Sequence, residues 1–242
     1  MREYNVLCTH TPYVLDETVA DLVFSLLLAT ARRIPHLNNF VKQGNWCKGT
    51  KPEELFGIDV HHKTIGIVGM GRIGEKITRR AAFGFEMKVL YHSNTPKPDL
   101  EEKYGMSYRS LDSLLEEADF VVLILPLTPA TRHMIGKEKF DLMKPDAILI
   151  NSARGAIVDE EAMIEALQQG KIRGAGLDVF EQEPIDSNNS MLKMAQVVTL
   201  PHIGSATEKT RNAMAMTAAE NLLAGVTGRA PENVVKELRG LV

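Results

Sequence analysis

Gly69-Met70-Gly71-Arg72-Ile73-Gly74 follows directly on the apolar run Thr64-Ile65-Gly66-Ile67-Val68. A lone G-x-G-x-x-G is weak evidence. Set between a strand and the start of a helix, with a second strand beyond, it marks a dinucleotide-binding turn. Gly69 permits the tight turn, Gly71 lets the backbone approach a pyrophosphate, and Gly74 lets the helix lie close on the strand. The helix that opens here turns unpaired N–H groups and the positive end of its dipole toward phosphate. Arg72 adds a positive charge at the same place.

Outward from this turn, strand and helix alternate. Apolar periodicity and the Gly and Pro breaks predict a helix over 73–83 and a strand over 87–91. A helix over 111–118 and strands over 120–125 and 147–151 follow, then a helix over 159–169. Strands over 176–179 and 197–200 come next, and a final helix runs over 204–223. Continuous apolar strands between helices mean an α/β fold, a Rossmann doubly wound parallel sheet covered on both faces. Upstream, 16–34 reads as a helix with Asp16 as N-cap and Pro35 as its stop. It is apolar nearly all round (Val19, Ala20, Leu22, Val23, Phe24, Leu26, Leu27). Such a helix is buried on more than one side, in a core, at a subunit interface or at both. A homodimer through the 16–34 region is the expected assembly.

Composition narrows the function. Of 242 residues, 44% are hydrophobic and 24% charged, the balance of an ordinary globular chain. Net charge is -3 and the 28 Lys and Arg are scattered, so nothing marks a nucleic-acid partner. Cys8 and Cys47 form no C-x-x-C pair and no disulfide framework, which makes a reducing cytoplasm the default. Met1-Arg2-Glu3-Tyr4-Asn5 opens no secretory leader, and the apolar stretch 22–31 is short of the ~20 residues a membrane span needs. His61, His62 and His133 lack the spacing and partners of a metal site, so no metal is expected.

The end of the second strand bears on the choice of dinucleotide. An acid there would bind the adenosine ribose hydroxyls and repel a 2′-phosphate. The residues present are His92, Ser93, Asn94 and Thr95, with Lys97 close by and no acid. NADP(H) is therefore expected to be preferred or at least accepted, with NAD(H) possible.

Three further segments place polar residues at strand ends, where open α/β sheets bind ligands. They are Asn151-Ser152-Ala153-Arg154-Gly155, Asp178-Val179-Phe180-Glu181-Gln182-Glu183-Pro184 and Pro201-His202-Ile203-Gly204-Ser205-Ala206-Thr207. A fixed guanidinium can bind a 2-oxo acid's carboxylate and polarise its ketone in one planar fork. As hydride reaches carbon, oxygen gains negative charge and needs a proton, which histidine supplies best near neutral pH. A carboxylate partner orients the imidazole and favours its charged form. Arg154, His202 and Glu183 are those three parts. Singly, each could equally be an ordinary surface or loop residue.

These segments, with the glycine loop, resemble the D-isomer-specific 2-hydroxyacid dehydrogenase family. Thr9-His10-Thr11-Pro12, Asp59-Val60-His61-His62-Lys63-Thr64 and Phe83-Gly84-Phe85 are similar to its bacterial glyoxylate/hydroxypyruvate and 2-ketogluconate reductases. The likeness runs from about Thr9 to Asn233. It implies reduction of a small 2-oxo acid to the D-2-hydroxy acid. Arg154 becomes the residue that binds and polarises substrate, His202 the proton donor and Glu183 its paired carboxylate. Asp178 would hydrogen-bond the nicotinamide carboxamide. Thr128 and Thr131, in the loop from Pro126, would line the adenosine side, and Ala153 and Gly204 would join the cofactor-binding set.

The departure is at the start. Relatives carry a first substrate domain of roughly a hundred residues ahead of the segment that begins here at Met1. Residues 1–13 are expected to be its remnant, with its last strand over 5–9. Residues 14–202 form the dinucleotide-binding domain, and 203–242 a helix returning toward the substrate side. That organisation predicts dinucleotide binding with poor turnover, and exposed apolar surface where a substrate domain would pack. A dinucleotide-sensing, corepressor-like binding module and an inactive remnant are the competing readings.

Overall fold

Successive apolar residues along Thr64–Val68 can all be buried only if helices cover both faces of the sheet, and that is how the chain folds. The computed structural model describes residues 2–4 and 6–241. Its elements run α1 (Asp16–Ala31), α2 (Ile34–Lys42), β1 (Thr64–Val68), α3 (Arg72–Gly84), β2 (Lys88–His92), α4 (Pro98–Tyr104), β3 (Ser107–Tyr108) and α5 (Leu111–Glu117). They continue with β4 (Phe120–Leu123), α6 (Lys137–Leu142), β5 (Ile148–Asn151), α7 (Glu160–Gln168), β6 (Gly174–Leu177), β7 (Val197–Thr199) and α8 (Glu208–Val226).

Among the described residues the seven strands form one sheet in the order β3-β2-β1-β4-β5-β6-β7, every pair parallel. The order reverses between β1 and β4, the switch point at which such sheets bind ligands. Register sets one row across the sheet: His92, Val68, Leu123, Asn151, Leu177 and Thr199 are neighbours in turn. The loops that follow this row carry the candidate residues.

Alternate strand residues enter two apolar cores. Leu90, Val121, Leu123, Leu149, Ala175 and Leu177 join Leu114 and Leu115 of α5 and Met163, Ala166 and Leu167 of α7. Ile65, Ile67, Val89, Tyr91, Phe120, Val122, Ile148 and Ile150 join Val23, Leu26 and Leu27 of α1 and Ile77 and Ala81 of α3. Full burial of each large apolar side chain contributes about 1.5–3 kcal/mol.

The chain divides into two compact units, Ala20–Gly204 and Met1–Val19 with Ser205–Val242. The candidate residues all lie in the first of these. In the second, Thr18 and Thr210 share a hydroxyl hydrogen bond of 2.7 Å, and Thr9 bridges Val234. Met216, Leu222, Leu223 and Val226 of α8 are exposed. No helix among the described residues is long and apolar enough to cross a membrane.

Several boundaries differ from expectation. The first helix ends at Ala31, not 34, because Arg33 takes a left-handed conformation (φ 55°) and turns the chain. Pro35 does not stop that helix; it sits in the first turn of α2, where its missing N–H leaves no bond unmade. Asp16 is the first helical residue and not the residue before it. β6 ends at Leu177, which places Asp178 just beyond the strand. α8 begins at Glu208, where the Thr207 hydroxyl accepts the amide of Thr210 at 3.2 Å. Of the strand expected over 5–9, Asn5 lies outside the described residues and Thr9 makes only its single bridge.

Candidate active site

The glycine loop separates what the fold needs from what a ligand needs. Gly69 has φ 109°, and a Cβ there would stand 2.4 Å from the carbonyl oxygen of Ile124. Its amide donates to the carbonyl of His92 at 2.8 Å, tying the turn to the end of β2. A Cβ on Gly74 would meet the carbonyl oxygen of Gly69 at 2.4 Å. A Cβ on Gly71 would meet nothing within 4 Å. Glycine at 71 is thus not demanded by packing; it keeps the space before the N-terminus of α3 clear.

Beside this loop is a cavity of ≈ 430 Å³ lined by Ile73, Ile124, Leu125, Pro126, Leu127, Ser152, Ala153 and Arg154. The Ser152 hydroxyl is buried there without a hydrogen-bond partner. A buried orphan hydroxyl is costly unless something else satisfies it. The open Gly71 face, the apolar walls and this hydroxyl together fit a dinucleotide.

At the end of β2, His92 Nδ1 lies 3.0 Å from the Arg109 carbonyl, and the Ser93 hydroxyl donates to the Thr95 carbonyl at 2.7 Å. Asn94 and Thr95 are exposed. In the loop after β4, the Thr131 hydroxyl donates to the Pro126 carbonyl at 2.8 Å and accepts the Thr128 amide at 2.7 Å, which shapes the loop from within.

The candidate reacting groups come from the loops after β5, β6 and β7. Asn151, buried at the end of β5, bridges the first of these turns. Its Oδ1 accepts the Ala153 amide and its Nδ2 donates to the Arg154 carbonyl, each at 3.1 Å. Arg154 donates one guanidinium nitrogen to the Ala153 carbonyl at 2.6 Å, which fixes the plane of the fork. Gly155 then lies against the next loop so closely that a Cβ would fall 1.8 Å from the carbonyl carbon of Phe180. Only glycine allows this approach, and it brings Arg154 and Glu183 to one cleft.

Glu183 Oε1 accepts the Phe180 amide at 3.1 Å, and Oε2 lies 2.7 Å from Nδ1 of His202. Burial acts to raise the Glu183 carboxyl, but the His202 bond and the Phe180 amide outweigh it and hold the group below its ordinary value. His202 has φ 53°, a left-handed conformation uncommon outside glycine. Asp178 holds it there by gripping the two residues that follow. Its oxygens accept the amides of Ile203 at 2.7 Å and Gly204 at 2.8 Å. Burial raises the Asp178 carboxyl, against the pull of these two amides. The cleft of ≈ 350 Å³ that results is lined by Leu127, Arg132, Arg154, Phe180, Glu183 and His202, among others.

The structure therefore brings Arg154, Glu183 and His202 together and sets Ile73 of the glycine loop, Pro126 and Ala153 around the adjoining cavity, whose lining does not include His92, Ser93, Asn94 or Thr95. The sequence placed Asn151, Ser152 and Gly155 in the first strand-end segment without assigning them a role. An Asn closing an apolar strand was a visible signal for the first. Nothing in sequence marks a hydroxyl that will be buried unpaired, or a glycine that will face another loop. His133 pairs with Glu181 at 2.8 Å, and no group of three or more potential metal ligands occurs among the described residues.

Residues 24–204 match the family model described as D-isomer specific 2-hydroxyacid dehydrogenase, NAD binding domain. The chain is 53% identical over 230 residues to a glyoxylate/hydroxypyruvate reductase B of Enterobacter sp. (strain 638), covering 95% of this chain and 71% of that one. Its fold is similar to that of a Thermus thermophilus protein with a TM-score of 0.90 at 47% identity, covering 97% of this chain and 73% of the other. It is also similar, with a TM-score of 0.89 at 37% identity, to an NADPH-dependent glyoxylate/hydroxypyruvate reductase from Sinorhizobium meliloti in complex with NADP and malonate. That match covers 98% of this chain and 72% of the reductase.

Proposed function

This chain belongs to the D-isomer specific 2-hydroxyacid dehydrogenase family, and on that premise we propose that Arg154, Glu183 and His202 are the residues with which it reduces a small 2-oxo acid. It is an NAD(P)-dependent oxidoreductase, and its relatives' names point to glyoxylate and hydroxypyruvate as the first substrates to try, with 2-ketogluconate in the same chemical class. The observation that carries the residue assignment is the 2.7 Å pair of His202 Nδ1 and Glu183 Oε2 in one cleft with Arg154.

Bound nicotinamide supplies the hydride. Arg154 binds the substrate carboxylate and polarises the ketone, its fork already oriented by the Ala153 carbonyl. His202 uses Nδ1 on Glu183, which leaves Nε2 to give a proton to the oxygen on which charge develops. Glu183 holds the ring in place and stabilises the imidazolium before the transfer. The product is the 2-hydroxy acid, of D configuration where the reduced carbon becomes a stereocentre.

The absence of an acid from 92 to 97 supports NADPH over NADH. On this reading 14–202 is the dinucleotide side, and 1–13 with 203–242 belong to the substrate side. A homodimer is part of the same proposal. Ile34, Val41, Trp46 and Phe56 are exposed and support an interface after α1, whereas Leu26 and Leu27 of α1 are already buried within their own unit. The free thiols of Cys8 and Cys47 support a reducing, cytoplasmic setting.

The test is NADPH oxidation with glyoxylate and hydroxypyruvate, alongside cofactor binding. His202→Gln and Arg154→Ala are each expected to lower turnover by about 10²–10⁴, the range for a lost proton donor or substrate-polarising group, while NADPH still binds. Turnover that survives His202→Gln overturns the proton-donor assignment. NADH bound about tenfold more tightly than NADPH, ~1.4 kcal/mol, overturns the cofactor preference.

A further inference from the structure

The cofactor preference has been read from exposed residues after β2, yet the position of that segment is governed from the core. Tyr91 is the penultimate residue of β2 and is fully buried. Its hydroxyl accepts the backbone amide of Lys97 at 2.6 Å and donates to Oε1 of Glu101 at 2.7 Å. The Lys97 carbonyl in turn accepts the amides of Leu100 and Glu101, each at 3.0 Å. Lys97 is therefore held on both sides of its α-carbon. Its ammonium has no partner among the described residues. At the other end of the segment, the His92 carbonyl binds the Gly69 amide at 2.8 Å, so the segment is also tied to the glycine loop.

We propose that Tyr91 is a positioning residue for 2′-phosphate discrimination: its hydroxyl fixes the backbone of Lys97 and so the site from which that ammonium meets the phosphate of NADP(H). This rests on the cofactor reading above. An ammonium on a four-carbon stem is a flexible point charge, and its selectivity depends on how well its base is fixed. A loop anchored only through exposed groups would lose that ordering entropy on binding. The anchor is a neutral hydroxyl throughout the physiological range. Burial first, and then the Glu101 carboxylate, push the Tyr91 phenol up to about 12. It therefore stays a donor to Glu101 and places no phenolate charge beside a phosphate. By donating to Glu101 it also keeps that acid engaged.

Tyr91→Phe removes the hydroxyl and preserves the ring in the core. The dissociation constants of NADPH and NADH, measured by titration calorimetry for the wild-type chain, Tyr91→Phe, Lys97→Ala and the double variant, test the assignment. Tyr91→Phe is expected to weaken NADPH about three- to tenfold, the worth of one neutral hydrogen bond, with NADH changed less than about twofold. In the Lys97→Ala background the same substitution should alter the NADPH-to-NADH ratio less than about twofold, because the group it positions is gone. Equal weakening of both cofactors means a purely structural hydroxyl and overturns the proposal. So does an unchanged ratio, or a ratio shift that persists undiminished without Lys97. The cofactor reading is judged on the wild-type ratio alone, so its failure is distinguished from a failure of Tyr91. Thermal melting of each apo variant checks that Tyr91→Phe is folded, and all titrations are run below the lowest melting temperature of the set.

Discussion

Oδ1 of Asp178 accepts the amide of Ile203 at 2.7 Å, so a carboxylate at the end of β6 decides where the residue before Ile203, the left-handed His202, is held. Its other oxygen takes the Gly204 amide. An asparagine has only one acceptor oxygen, and its amide group would face an N–H in place of the second. Asp178→Asn should cost about 1–3 kcal/mol, the penalty of a buried unpaired donor. It should also lower turnover, because His202 loses its fixed backbone. Thermal melting and steady-state assays together check this. Full activity in the variant would mean that Glu183 alone places the imidazole.

Glu183 and Asp178 have carboxyls displaced in opposite directions, and this gives stability a readable pH dependence. Glu183 is depressed in the folded state. Its contribution is complete above the unfolded carboxylate value and is lost as pH falls through the lower folded value. Asp178 is raised, so the folded state binds its proton more readily and its ionisation opposes folding as pH rises. Glu183→Gln removes only the first effect. The difference in melting temperature between wild type and Glu183→Gln should be largest above the ordinary carboxylate range and shrink as pH falls through that range toward the lower folded value. A difference constant across that range would show that the carboxylate's charge is not what stabilises.

Gly71 and Gly74 should fail in different ways. Gly74→Ala places a Cβ 2.4 Å from a backbone oxygen, and backbone cannot swing aside as a side chain can. A loss of about 1–3 kcal/mol is expected, or roughly 2–10 °C in melting temperature for a chain of this size. Gly71→Ala meets no protein atom. It should melt within about 0.5 kcal/mol of wild type, as an open site does, yet bind NADPH at least about tenfold more weakly. Undiminished binding by Gly71→Ala would place the phosphates elsewhere.

Ser152→Ala removes a buried hydroxyl that has no partner. The apo protein should keep its stability or gain up to about 1 kcal/mol, since an unsatisfied group is deleted. Dinucleotide affinity should fall about three- to tenfold, if the hydroxyl is satisfied by the cofactor. Melting with and without NADPH separates the two effects, because ligand stabilisation scales with affinity. A variant that loses stability without ligand and keeps its affinity removes Ser152 from the cofactor site.

Local chemistry by itself determined the glycine loop, the parallel sheet and the choice of three candidate residues, because each leaves a mark within a few positions. The turn needs glycines at set offsets, buried strands need unbroken apolar runs, and strand ends carry residues too polar for the core. The ends of α1 and β6 were misjudged because a left-handed Arg33 and the true reach of a strand depend on what packs against them. Only tertiary structure decided that the Asp178 carboxylate holds the turn behind His202, that Gly155 must be bare to face Phe180, and that the Tyr91 hydroxyl reaches Lys97. Each joins residues whose local sequence is indifferent to the partner. A hydrogen bond or a close backbone approach is set by where two segments meet, and that follows from the packing of the whole sheet, not from any run of residues within it.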